Sequence, residues 1–323
     1  MSASGRKKRR NNWIAKGEWY ILLLFSKGLA SVPLAWVHQL SDLIRWLAFD
    51  LMGFRKKVIL ENLRNSFPNH SYDKNLEIHR DFSRYFCDMM LETIRAHSMS
   101  NEELGRQVEV KNLEVVDSYF DQRRNVAIAL GHYSNWEWAG PYGGTLTRHR
   151  PYVIYHPLGS FGFNRLLYQS RRKRKWTMMK MKRAFRKMQI LSDEMQAHTQ
   201  REPYAVAFLA DQNAPAHNAY WTRFLNQETA FFWGLERAAK KFDLAVIYAR
   251  ITQPRRGHYL LEFEPLVDQP SDLPEGKIIE KFAHRLEQQI LEYPPHWLWS
   301  HRRWKAKRPS LSEAPAHNSL QET

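Results

Sequence analysis

The chain has 323 residues, one of them cysteine, with 43% hydrophobic and 25% charged residues. This excludes a wholly disordered chain, an intrachain disulfide framework and a cysteine-based zinc site, and a lone cysteine fits a reducing compartment. Lys and Arg number 49 against 33 Asp and Glu, a formal charge of +16, and 21 of those bases lie in three acid-free segments, Arg6–Arg10, Arg165–Lys187 and Arg302–Arg308. The remainder is slightly acidic, so the positive charge is concentrated and implies an anionic partner: nucleic acid, anionic lipid or an acidic protein.

In chain order, residues 1–12 are small, polar and basic, and are expected to be disordered. Within 13–54, the stretch Trp19–Val37 is interrupted only by Lys27 and Pro33, close to the roughly 20 apolar residues that a bilayer span needs. Basic residues flank it on both sides, Arg6–Arg10 and Arg55–Lys57, so charge does not choose between a spanning helix, an interfacial hairpin and a buried core helix. Two of these three place the protein at a membrane. From Phe54 to Met99 the apolar spacing is helical, broken at Pro68.

After about residue 106 the texture alternates. Val126–Leu130, Tyr152–Tyr155, Tyr204–Leu209, Leu244–Ile251 and Tyr259–Phe263 read as strands. Helices are expected over Asn135–Arg148, Phe163–Lys175, Thr229–Phe242 and Gly276–Tyr293. Strands alternating with helices predict an α/β fold, a sheet flanked by helices, with active groups at the carboxyl ends of strands. Residues 309–323 read as a disordered tail.

One such end carries Gly131-His132-Tyr-Ser-Asn-Trp-Glu137. On a continuous helix His132 and Glu137 would stand about 140° apart and share no face. With His132 in the loop and Ser134 or Asn135 capping the helix, Glu137 falls in the first turn and its carboxylate can reach the imidazole. Such a pair makes a general base. The alternative is a loop histidine and a glutamate favoured by the helix dipole. Gly-x-Ser-x-Gly is absent and Cys87 lies far upstream, so a base without a protein nucleophile suggests direct transfer to a substrate hydroxyl. A second strand end carries Asp211 and Gln212, read either as a turn or as groups shaping a polar site. The run Arg165–Lys187 suits phosphates or carboxylates if it is not simply a solvated face. The Trp-rich ending after Tyr293 suits a membrane interface or a cap on the core. No metal cluster or nucleotide-binding loop is visible, and no cofactor is implied.

Four blocks together resemble the secondary lipid A acyltransferases, the lauroyl- and myristoyl-transferase family, over roughly Trp19 to Pro309. They are Asn62-Leu-x3-Phe-Pro68, His132-x4-Glu137, Ala210-Asp-Gln212 and Trp297-Leu-Trp-Ser-His-Arg-Arg-Trp-Lys-Ala-Lys-Arg-Pro309. The resemblance implies a fold like that of glycerol-3-phosphate acyltransferases over 55–308, after a membrane-associating segment over 13–54. It implies His132 as general base with Glu137 as its partner, and Arg171 and Asp211 as substrate-binding residues. It further implies an acyl carrier protein as donor, a phosphorylated glycolipid acceptor, the inner membrane as location with the catalytic domain in the cytoplasm, and no nucleic acid. The oxyanion donors it leaves open are Arg171 and loop amides near Gly131. Related readings are transfer to a lysophospholipid or an aminolipid; a basic nucleic-acid-binding protein rests on charge alone and leaves the His-Glu strand end unexplained.

Overall fold

The computed structural model describes residues 3–197 and 202–309. The expected tail over 309–323 lies, past Pro309, outside the described residues. Helix α1 (Ala3–Ser31) includes most of the stretch expected to be disordered. The Lys and Arg there are good helix formers, and extending a helix that already exists is far easier than nucleating one. Helix α2 (Leu34–Arg45) follows Pro33, whose ring ends the first helix and opens the second.

Among the described residues no helix is long and apolar enough to cross a membrane, and nothing supports the spanning alternative for 13–54. One face of this segment is packed instead. Trp19, Leu29 and Val37 are buried with Leu91, Ile94 and Leu166. The other face leaves Tyr20, Ile21, Leu24 and Trp36 more than half exposed.

Helices α3 (Lys56–Ser66) and α4 (Tyr72–Ala96) lie on either side of Pro68, as the spacing predicts. The α/β part then runs α5 (Asn101–Gly105), β1 (Val108–Lys111), α6 (Leu113–Asp121), β2 (Val126–Leu130) and α7 (Trp136–Leu146). It continues with β3 (Arg150–Tyr155), α8 (Phe161–Lys173), β4 (Thr177–Lys180), α9 (Ala184–Gln196) and β5 (Tyr204–Leu209). Last come β6 (Ala219–Phe224), β7 (Gln227–Phe232), α10 (Gly234–Lys241), β8 (Ala245–Arg255), β9 (His258–Val267) and α11 (Lys277–Glu292).

Seven strands form one sheet in the order β1-β9-β8-β2-β5-β3-β4, with every pair parallel except β8–β9. The central strands are continuous apolar runs because both faces are covered. Ala127, Ala129, Val206 and Phe208 face α10 and α11 on one side. Leu130, Ala205, Ala207 and Ile247 face α6 and α7 on the other.

Parts of the α/β region differ from expectation. The helix expected from Thr229 starts only at Gly234, because Thr229–Phe232 belong to β7 in a separate antiparallel hairpin with β6. Leu225 and Asn226 turn that hairpin with positive φ at both positions, the geometry of a two-residue type I′ loop. Strand β4 lies inside the basic run. Arg174 in the same run is buried, donating to the carbonyls of Ala96 and Ser170 at 2.8 and 3.0 Å.

Candidate active site

Strands β2 and β5 are parallel neighbours with Leu130 opposite Leu209. One more ladder step follows, from Ala210 N–H to the Leu130 carbonyl at 3.1 Å. His132 and Asp211 each stand two residues past that registered pair, so the two chain exits put them side by side. Gly131 permits the approach: a Cβ there would meet Leu286 Cδ1 at 2.6 Å and Asp211 Oδ2 at 3.3 Å.

Asp211 holds His132 twice. Its Oδ2 accepts the His132 backbone N–H at 2.8 Å, and its Oδ1 lies 2.6 Å from Nδ1. Trp297 Nε1–H also donates to Oδ2 at 2.9 Å. Burial of Asp211 acts to raise its pKa, but the adjacent His132 and these hydrogen bonds outweigh it and hold the carboxyl at about 2. An ionised carboxylate only accepts, so Nδ1 carries the proton and the lone pair of the neutral ring is on Nε2. That nitrogen points toward the Gln212 amide at 3.0 Å, and the edge of Trp136 packs on the ring with centroids 4.9 Å apart.

Glu137 is not the partner of His132, which corrects the pairing expected from spacing. It does fall in the first turn of α7, and Asn135 does cap that helix, accepting from Trp138 N–H at 3.0 Å. Its carboxylate, however, pairs with Arg171 of α8, whose Nη2 and Nε approach at 2.5 and 3.2 Å. The reason is register: β5 delivers Asp211 directly beside the histidine, whereas the first turn of α7 turns Glu137 toward the neighbouring helix. All four expected site residues thus meet in one region, but as His132–Asp211 and Glu137–Arg171.

Helix α4 supports the loop from beneath. Glu92, fully buried, accepts from Asn135 Nδ2 at 2.8 Å and pairs with His38 Nε2 at 2.9 Å and Tyr259 OH at 2.5 Å. Its backbone carbonyl takes Trp138 Nε1–H at 2.6 Å. The Trp-rich ending is a cap on this core. Trp297 and Trp299 are buried, and the His296 carbonyl accepts Ser134 N–H at 2.8 Å. Sequence reasoning missed Trp297 as a donor to Asp211; no local signal marks which of three tryptophans reaches the carboxylate.

A cavity of about 560 Å³ joins these groups, lined by His132, Glu137, Arg171 and Gln212 and walled by apolar side chains including Met89, Met90, Leu209 and Leu298. Trp136 lines the cavity, while Trp138 and Phe231 are core. A hydroxyl in this cavity can lose its proton to Nε2, with Asp211 stabilising the imidazolium that forms. Cys87 is no rival nucleophile, since it is buried and burial pushes its thiol up to about 12.

No curated relative matches the chain. The model of the bacterial lipid A biosynthesis acyltransferases, however, matches residues 6–306, and the chain belongs to that acyltransferase family.

Proposed function

We propose that the protein moves a fatty acyl chain from an acyl carrier protein thioester to a hydroxyl of a lipid A precursor, at the inner membrane with its α/β part on the cytoplasmic side. His132 takes the hydroxyl proton on Nε2 and Asp211 orients and charge-balances the ring. Arg171 and Glu137, ion-paired in the cavity wall, bind and position substrate. The observation that carries this reading is the His132–Asp211 pair opening into an apolar-walled cavity. An acyl chain buried against such walls gains about 0.8 kcal/mol per CH₂.

Two surfaces support the partners. Exposed Tyr20, Ile21, Leu24, Trp36, Leu51 and Met52 lie in the N-terminal segment, and Phe54 and Arg55 line the cavity, a pattern suited to seating in an anionic lipid interface. Exposed Lys180, Lys182, Arg183 and Arg186 flank Met181 at the same cavity, with no ion pair among the described residues. They suit an acidic carrier protein.

The test is lipid mass spectrometry of a deletion strain complemented with wild type, His132→Ala or Asp211→Asn. Lipid A that loses one acyl chain, restored only by wild type, is expected. Unchanged lipid A acylation rejects the acceptor, and a change confined to lysophospholipids or aminolipids would transfer the same chemistry to those lipids.

A further inference from the structure

The amide of Gln212 occupies the space that the reaction needs. Its Nε2 is 3.0 Å from Nε2 of His132. Because Asp211 has taken Nδ1–H, only the NH₂ end of the amide can pair with the remaining lone pair. In the free protein the basic lone pair is therefore covered. An acceptor hydroxyl has to stand roughly 2.6–3.2 Å from that same nitrogen, which is the volume the amide fills. Gln212 is exposed within the cavity while Asp211 behind it is buried, so its side chain can swing aside without repacking the core.

Once displaced, the amide still hangs one residue from Asp211, carrying two N–H donors next to the reacting atoms. The other strong donor there, Arg171, is engaged by Glu137 through both Nη2 and Nε. We propose that Gln212 is a catalytic residue with two successive partners: it covers Nε2 of His132 in the free protein and, displaced by the acceptor hydroxyl, donates to the oxyanion that forms on the donor carbonyl. This rests on His132 being the base. The hydroxyl gives its proton to Nε2 as its oxygen bonds to the thioester carbon. The carbonyl π pair moves onto oxygen and takes a hydrogen bond from Gln212. When that pair returns, the carbon–sulfur bond breaks, and the departing thiolate takes the proton from Nε2. The Nδ1 proton stays on His132 throughout.

The full chain carrying Gln212→Ala or Gln212→Glu tests this against His132→Ala. Loss of one oxyanion donor lowers kcat about 10²-fold or more, so Gln212→Ala is expected there, with KM changed much less. Gln212→Glu, which sets a carboxylate toward the oxyanion, is expected to be slower still. A second readout needs no substrate. Diethyl pyrocarbonate acylates the free imidazole nitrogen, and the His132 peptide is followed by mass spectrometry. Uncovering Nε2 in Gln212→Ala is expected to speed this labelling severalfold, which a merely structural role would not do. A near-wild-type kcat in Gln212→Ala, or unchanged labelling of His132, overturns the proposal. Full activity of His132→Ala overturns the base itself, and is read separately.

Discussion

Two carboxylate pairs stand at one cavity and are built differently. Asp211 is 2% exposed and takes three hydrogen bonds, from the ring and backbone of His132 and from Trp297. Glu137 keeps 10% of its side chain exposed and meets Arg171, 16% exposed, in a side-on fork. The first pair contains an imidazole, whose second nitrogen can accept a proton from a substrate; the second contains a guanidinium, which only donates. On the proposed reading the chemistry belongs to the sheet ends, and the helix–helix pair shapes and charges the wall beside them. A carboxylate five residues from a histidine is near it in sequence, but strand register decides which carboxylate touches the ring.

The sharpest way to break this contrast is to neutralise each carboxylate in turn. Asp211→Asn leaves the shape and removes the charge that fixes Nδ1–H, and carboxylate–histidine pairs of this kind lose about 10⁴-fold in kcat on that change. Steady-state acyl transfer by the two variants, with circular dichroism to confirm folding, makes the comparison. A larger loss for Glu137→Gln than for Asp211→Asn would restore the partner that spacing suggested and remove Asp211 from the mechanism.

A second comparison sets His132 against His296, which is buried in a cage of Tyr85, Tyr133 and Tyr293 with centroids 5.0, 6.0 and 4.5 Å away. Burial alone pushes the pKa of His296 from 6.5 down to about 3. Below 6.5 the unfolded chain takes up a proton at this residue and the folded chain does not. Stability is therefore complete above pH 6.5 and drains away as pH falls toward 3. The contribution of Asp211 is present above 3.8 and lost only between 3.8 and about 2. His296→Phe should thus unfold in urea with about 3 kcal/mol less acid sensitivity than wild type between pH 6.5 and 4. Parallel curves for wild type and His296→Phe would mean that the caged histidine is protonated when folded.

For Glu137→Gln itself, the expectation is a smaller loss than at Asp211. Arg171 keeps a hydrogen-bond acceptor but loses its counter-charge, and charged hydrogen bonds contribute about 1.5–3 kcal/mol, a fall of roughly 10- to 100-fold. Placing both carboxylates in one region was within reach of sequence, because apolar runs ending in Gly131-His132 and Ala210-Asp211 mark two strand ends. Their adjacency was not, since it depends on β2 and β5 being neighbours although β3, β4 and their helices intervene in the chain. The hairpin β6–β7 escaped because Leu225 and Asn226 turn it without glycine, and β4 because its Met-rich run is embedded among bases. The long helices α4 and α11 were legible, as each buries one stripe at helical spacing.

The smallest effect probes the loop that serves the first pair. Ser134 sits between His132 and the cap residue Asn135 with φ 56°, and its buried hydroxyl has no hydrogen-bond partner. A left-handed conformation costs a non-glycine residue about 1–2 kcal/mol, and a buried unpaired hydroxyl about 1–3 kcal/mol more. Ser134→Gly removes both, against about 0.5–1 kcal/mol of extra chain entropy in the unfolded state. The balance predicts a gain of about 1–4 kcal/mol, read as a rise in Tm of at least about 2 °C. Its value lies in the second number measured. Ser134 enters both the bond from its N–H to the His296 carbonyl and that from Tyr85 OH to its own carbonyl through backbone atoms only, so the loop path survives the substitution. If activity falls while Tm rises, serine holds the loop in a tenser shape that the His132–Asp211 pair requires. If both rise or activity is unchanged, the strain lies beside the site without serving it, and the geometry of the pair is set by register and by Gly131 alone.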